Sequence, residues 1–158
     1  MTVLNSAEYL RSAILFVAQN QNDDGGFTSK TNHTASTATV DHQTIFYPAL
    51  IASLLIPIKS KETVEIVKKI NYFLSSHTNQ DGLWSYWATN NLVGTEFPYP
   101  PDLDDTSLAI AVQAATGSLK TNTLDQFVES LIYNETEPGG PYRTWITNTK
   151  DEHWSDVD

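Results

Sequence analysis

Cysteine is absent from this 158-residue chain. That removes disulfides, thiolate metal ligands and a cysteine nucleophile, and leaves the redox compartment open. Charge is also sparse. Asp, Glu, Lys and Arg make up 18% of the residues, and 9 basic against 19 acidic side chains give a net charge of −10. With no strong Lys/Arg cluster, this balance argues against a nucleic-acid partner and against electrostatic binding to an anionic membrane. The longest apolar stretch, around Tyr47–Ile58, is too short to span a bilayer. The N-terminal text MTVLNSAEYL has no basic region followed by an apolar core, so no secretory leader is read. The expectation is therefore a cytoplasmic protein, with a membrane-peripheral position left open. Asn32-His33-Thr34 and Asn134-Glu135-Thr136 fit the glycosylation triplet, and without a leader they are read as chance matches.

What the chain does contain is a repeated text. Phe16, Gln21, Gly25 and Phe27 in FVAQNQNDDGGF recur as Phe73, Thr78, Gly82 and Trp84 in FLSSHTNQDGLW, each 57 positions later. A looser copy, LIYNETEPGGPY, carries Gly140 and Tyr142, 58 positions after Gly82 and Trp84. Fixed-period self-similarity marks units that bury their apolar faces against their neighbours. Each unit reads as an apolar helix, a polar Asn/Asp/Gly turn and an aromatic. The length suits one domain over 1–158, or a fragment of one.

The helical pattern supports this. Leu10, Ala13, Ile14, Val17 and Ala18 lie at helical spacing behind Asn5 or Ser6 as cap. A second helix, about 43–55, is apolar nearly all round and so is expected to be buried on all sides, with Pro48 marking a kink or a later start and Pro57 its end. Ser60 caps an amphipathic third helix. A long aromatic-rich loop covers 78–101, and a fourth helix, small and apolar, follows at about 104–115. Thr123 and Gln126 suggest a capping box for a fifth. Amphipathic helices would lie outside and apolar helices inside. Strand signals are few, the best being the short Thr37-Ala38-Thr39-Val40.

The repeat resembles the QW motif of the terpene cyclase and protein prenyltransferase superfamily, in which a helical aromatic and a Gln lead to Gly-x-Trp. Phe16, Gln21, Gly25 and Phe27 match its spacing with Phe for Trp; in the second copy Thr78 replaces the Gln, and the third keeps only Gly140 and an aromatic. The resemblance implies an all-α fold, an α/α toroid. Five helices would make a partial ring, which leaves three expectations open: part of a split or truncated cyclase, a chain that pairs with itself or a second subunit to close the ring, or a compact relative without catalysis. In such a turn the Gly allows reversal, the amide bonds free backbone ends and the aromatic packs between helices.

A second likeness is sharper. Asp102-Leu103-Asp104-Asp105-Thr106 resembles the DxDD motif of class II terpene cyclases. The resemblance implies protonation-initiated cyclisation of an isoprenoid, an isomerase or lyase activity, with Asp104 as general acid and Asp102 and Asp105 as the carboxylates that tune it. Trp84, Trp87, Tyr99, Tyr142 and Trp145 are candidates to line the substrate pocket, with Phe27, Tyr86 and Phe97 also available. The chemistry requires no metal as acid, although Mg2+ can accompany a diphosphate substrate. Crowded carboxyls in a dry cavity cannot all ionise, so one proton is retained. Aromatic faces then stabilise a carbocation that water would quench.

Other readings of the same residues stay open. An Asp cluster before an apolar helix is also a plain N-cap with first-turn acids, and the helix N-terminus would lower the Asp pKa values. A non-catalytic module binding an isoprenoid or a partner chain is one alternative. A glycan-active enzyme using Asp102 with Asp104 or Asp105 is another, disfavoured by apolar inner helices. Asn22-Asp23-Asp24-Gly25 reads as a turn rather than a calcium loop. His33, His42, His77 and His153 lack ligand spacing; His42 reads as a surface or capping residue, and Arg143 as a salt-bridging one.

Overall fold

The computed structural model describes residues 5–32, 39–89 and 99–146. Phe97, His33 and His153, the triplet ending at Thr34 and the start of the strand signal at Thr37 lie outside the described residues.

Among the described residues there are five helices: α1 (Ser6–Asn20), α2 (Phe46–Leu55), α3 (Lys61–Ser76), α4 (Leu103–Thr116) and α5 (Thr121–Tyr133). Between α1 and α2 lie two strands, β1 (Thr28–Asn32) and β2 (Thr39–Gln43), paired antiparallel with Thr28 opposite Gln43 and Asn32 opposite Thr39. The expectation of an all-α α/α toroid is thereby corrected to a small mixed α/β domain. The stretch read as a polar loop is rich in threonine, whose β-branched side chain favours extended backbone. Pairing then satisfies backbone groups that the polar side chains alone would leave to water. The Lys30–Asp41 ion pair across the ribbon (3.8 Å) is exposed and contributes little.

The helix starts follow local chemistry. Asn5 Oδ1 accepts from the Glu8 N–H (3.0 Å) while Glu8 Oε2 accepts from the Asn5 N–H (2.8 Å). Ser60 and Thr63 form the same reciprocal box on α3. α2 has no side-chain cap and begins at Phe46, which puts Pro48 in the first turn, where its missing N–H costs nothing. Gly117, with φ +72, closes α4 in the left-handed conformation. The box expected from Thr123 and Gln126 does not form. α5 begins at Thr121, and Thr123 is buried within it against the Gly82 turn.

α2 packs against α4 and α3, and α3 also against α1. The core joins Ile45, Ala49 and Ala52 of the α2 region to Ile66, Ile70, Phe73 and Leu74 of α3, Ala109 and Val112 of α4, and Trp84 from the loop between them. Burying each of the larger side chains contributes about 1.5–3 kcal/mol. α2 departs from the expectation of burial all round: Tyr47, Leu50 and Leu54 are exposed, leaving an apolar stripe open to solvent.

The repeat has a structural counterpart. Asn22 N–H bonds Gly26 O and Gly25 N–H bonds Asn22 O, both at 3.0 Å; 57 positions on, Asn79 N–H bonds Leu83 O (2.9 Å) and Gly82 N–H bonds Asn79 O (3.2 Å). Gly25, Gly82 and Gly140 all have positive φ, +95, +75 and +96. Each of the first two turns packs on the next amphipathic helix. A Cβ on Gly25 would lie 2.1 Å from Lys69 O on α3, and one on Gly82 would lie 3.2 Å from Gln126 Oε1 on α5. Lys69 and Gln126 are themselves 57 apart. The Gln21 amide also donates to Ile66 O on α3 (3.1 Å), tying the first turn to that helix.

Candidate functional site

Four chain segments converge at the N-terminal ends of α2 and α4. Ile45 N–H bonds Tyr86 O (2.9 Å) and Ala88 N–H bonds Gln43 O (3.1 Å), holding the 84–88 segment to the end of β2. Asp102 N–H bonds Trp84 O (3.1 Å), Leu103 N–H bonds Thr144 O (2.8 Å) and Ile146 N–H bonds Pro101 O (2.7 Å). Thr106 completes the joint from inside α4: its hydroxyl accepts from Trp84 N–H (3.0 Å) and donates to Trp84 O (3.1 Å). The aromatic-rich stretch read as a plain loop is thus, at its described ends, a bonded platform beneath the three aspartates.

The aspartates have different surroundings. Asp102 is the N-cap of α4, accepting the Asp105 N–H at Oδ1 (2.8 Å), and it is buried. Asp105 is 2% exposed, and its Oδ1 has no hydrogen-bond partner. Burial, first, then its hydrogen bond to Asp102 and the charges of Asp102 and Asp104 push the Asp105 carboxyl up to about 9. Asp102 is raised by burial, an effect opposed by its hydrogen bonds from Asp105. The pair therefore acts as one acid, with Asp105 holding the proton and Asp102 accepting it. The helix N-terminus opposes this, but desolvation dominates. Asp104 lies on the exposed face of α4, with Ser107 and Ala111.

A row of rings flanks the pair. Trp87 stacks on Tyr99 (centroids 6.3 Å, 16°), and Tyr99 on Trp145 (5.4 Å, 29°). Asp102 and Trp145 are bridge partners on neighbouring segments. Tyr86 meets the edge of Trp87 (4.7 Å, 75°), and its hydroxyl is raised by burial, then by Tyr47 and by Asp105. Tyr86 is among the aromatics that the sequence made available, whereas Tyr47 is not, since nothing in the sequence places Tyr47 of α2 next to a loop 39 positions on. His42 is buried in β2, its ring edge-on to Trp87 (5.2 Å, 84°), and is neither a surface nor a capping residue.

Of the five aromatics expected to line a pocket, Trp87, Tyr99 and Trp145 come together. Trp84 is buried in the core, its Nε1 donating to Leu74 O (2.8 Å), so its backbone serves the platform while its ring packs the helices. Tyr142 is exposed on the third turn, against Gly140. Arg143 lies beside it, its N–H bonding Asn134 O (3.1 Å). Among the described residues no three His, Asp or Glu side chains are grouped so as to hold a metal ion. A cleft of about 340 Å³ lies elsewhere: Leu55, Ile58, Val67, Lys68 and Thr116 line it at the C-terminal ends of α2 and α4.

Comparison with known families now bears on this geometry. Residues 28–153 match the sesquiterpene cyclase astC-like C-terminal domain. The chain belongs to that family. No curated protein sequence matches the domain significantly. Among solved structures, the type II terpene cyclase MstE from Scytonema without ligand has 18% identity and a TM-score of 0.66, over 96% of this domain and 40% of that chain. An MstE variant in complex with geranylgeranyl dihydroxybenzoate has 16% identity and a TM-score of 0.65, over 96% and 41%. A protein from Actinoplanes has 16% identity and a TM-score of 0.66, over 89% and 37%. At such identities the likeness is one of fold, and the domain spans about two fifths of the length of these structures. The terpene cyclase resemblance read from the repeat and the Asp cluster thus stands at the level of family.

Proposed function

We propose that this domain serves protonation-initiated cyclisation of an isoprenoid, with Asp104 presenting the acid to the substrate and the Asp102–Asp105 pair holding a proton behind it. The observation that carries the reading is the buried carboxyl pair at the α4 N-terminus, beside a row of stacked rings, in a member of a sesquiterpene cyclase family. In the step, the Asp104 carboxyl O–H breaks and the alkene π pair forms the new C–H bond. Asp104 becomes a carboxylate and the substrate a tertiary cation, which a second double bond then attacks. A carbon-bound proton is then lost to solvent, which returns one to Asp104 before the next turnover. Asp105, kept neutral by burial, spares the cluster a third negative charge. Trp87, Tyr99 and Trp145, with Tyr86, would offer π faces to the cation. Trp84 and Tyr142 take no part in this version, since one packs the core and the other lies on a separate turn. The proton step uses no metal as acid, and Mg2+ would accompany only a diphosphate substrate.

The family's name favours a farnesyl chain. MstE, whose substrate complex contains a geranylgeranyl chain, supports an isoprenoid in general. The test is a cyclase assay on the protein containing this domain, with farnesyl diphosphate, geranylgeranyl diphosphate and squalene. Asp104→Asn is expected to lower turnover by about 10²-fold or more. Full activity in that variant would refute the assignment of Asp104. A second reading rests on the open apolar stripe of Tyr47, Leu50 and Leu54: a non-catalytic module that binds an isoprenoid or a partner chain there. Unchanged ligand binding in Asp104→Ala, with no turnover in the unmodified protein, would favour it.

A further inference from the structure

The repeat extends to the helix faces that the turns cover, and this exposes an imbalance between the two ends of the domain. Ile66, Val67 and Phe73 of α3 are 3%, 7% and 0% exposed. Their counterparts 57 positions earlier, on α1, are Tyr9, Leu10 and Phe16, which are 59%, 47% and 67% exposed. α3 is covered by the Gly25 turn at Ile66 and Lys69, and α5 by the Gly82 turn at Thr123 and Gln126, the same two positions shifted by 57. The corresponding positions on α1 are Tyr9 and Ser12, and no turn lies on them among the described residues. At the other end the third turn is open. Among the described residues nothing lies within 4 Å of a Cβ on Gly139, the nearest atoms to Gly140 belong to the ring of Tyr142, and Tyr142 is 44% exposed. The described residues therefore carry both halves of a contact that they already make twice: a glycine turn with no described helix on it, and a helix face with no described turn on it.

We propose that α1 is the docking face for the third turn of a second copy of this chain, with Gly139–Tyr142 of the partner seated over Ser12 and Ala13, between Tyr9 and Phe16. The small side chains of Ser12 and Ala13 allow the close backbone approach that the glycine turns make on α3. The contact is heterologous, joining unlike surfaces on the two copies. It rests on the repeat geometry and is independent of the catalytic reading.

The test uses complementary variants of the full chain. Light scattering over a concentration series is expected to show a species of twice the 17.6 kDa of one chain, or larger. Ala13→Arg blocks the helix face and Tyr142→Asp the turn. Each alone is expected to run as a monomer with unchanged far-ultraviolet circular dichroism. An equimolar mixture of the two is expected to recover a dimer, because one intact face then meets one intact turn. Recovery on mixing also shows that both variants are folded. A wild-type monomer at all concentrations overturns the proposal. So does association that survives Ala13→Arg, and so does association lost in Ala13→Arg but kept in Tyr142→Asp, which would mean that α1 faces pair with each other.

Discussion

Asp102 caps the helix that begins with Leu103 by accepting the backbone N–H of Asp105 at 2.8 Å, so one carboxylate both starts α4 and holds the buried acid beside it. The capping and catalytic readings of the aspartate cluster are therefore compatible. The cap places Asp105 on the buried side of the first turn, and burial raises its pKa.

The stability of the domain should carry the signature of that proton. The Asp105 carboxyl moves from 3.8 to about 9 on folding. Between those values the native state binds one proton more than the unfolded chain, so stability falls as pH rises across that window. The slope for one proton is at most about 1.4 kcal/mol per pH unit. Asp102, also raised, adds to the fall in the same direction. Asp105→Asn keeps a donor toward Asp102 and cannot ionise. Urea unfolding from pH 5 to 9 is expected to show a steep decline for the wild type and a much flatter one for the variant. Parallel declines would place the proton elsewhere.

The ring row makes a prediction about ligands. Tyr99 stands between Trp87 and Trp145, so Tyr99→Leu removes both stacking partners at once while keeping apolar bulk. Each such pair contributes about 0.5–1.5 kcal/mol beyond area burial. Calorimetric titration with farnesol should show affinity reduced by about tenfold, and Tyr142→Leu, on its separate turn, should leave it unchanged. Equal losses in the two variants would remove the row from the binding site.

The two kinds of glycine in the turns separate cleanly. Gly25→Ala meets both a φ of +95 and a carbonyl oxygen 2.1 Å from the new methyl, and neither the α3 backbone nor the turn can yield cheaply. A loss of about 3 kcal/mol or more is expected, in the range reserved for strain and overpacking. Gly117→Ala has φ +72 with open space around it, so only the backbone penalty of about 1–2 kcal/mol applies. Chemical denaturation of both variants checks the order, and a larger loss at Gly117 would contradict the turn-on-helix packing.

Much of the helical layout was legible because it is local. Asn5, Ser60 and Pro57 mark their boundaries by chemistry that operates within four residues, and the 57-residue offset signals a repeat whatever the packing. What escaped depends on distant partners. The ribbon of Thr28–Asn32 with Thr39–Gln43 has no strong apolar alternation, because its strands are largely polar and gain their backbone bonds from each other. The burial of Asp105 but not Asp104 is fixed by which side of α4 meets the 84–87 segment, and the exposure of α2 by what does not cover it. Neither is encoded in a window of sequence. The likeness to terpene cyclases named the family correctly, but its implied toroid gave no place for the ribbon.

The last prediction concerns the joint under the site. Thr106 is fully buried, and its hydroxyl is the partner of Trp84 N–H as well as a donor to Trp84 O, which also takes the Asp102 N–H. Thr106→Val keeps the shape but leaves the Trp84 N–H buried without an acceptor, at a cost of about 1–3 kcal/mol. Thr106→Ser keeps both bonds and loses one methyl, at about 1 kcal/mol. Because Trp84 O also anchors Asp102, the valine variant should lose turnover beyond its loss of stability, measured well below its unfolding temperature, whereas the serine variant should retain most of it. Equal turnover in the two would mean that the platform supports folding of the α4 N-terminus without setting the position of its carboxyls.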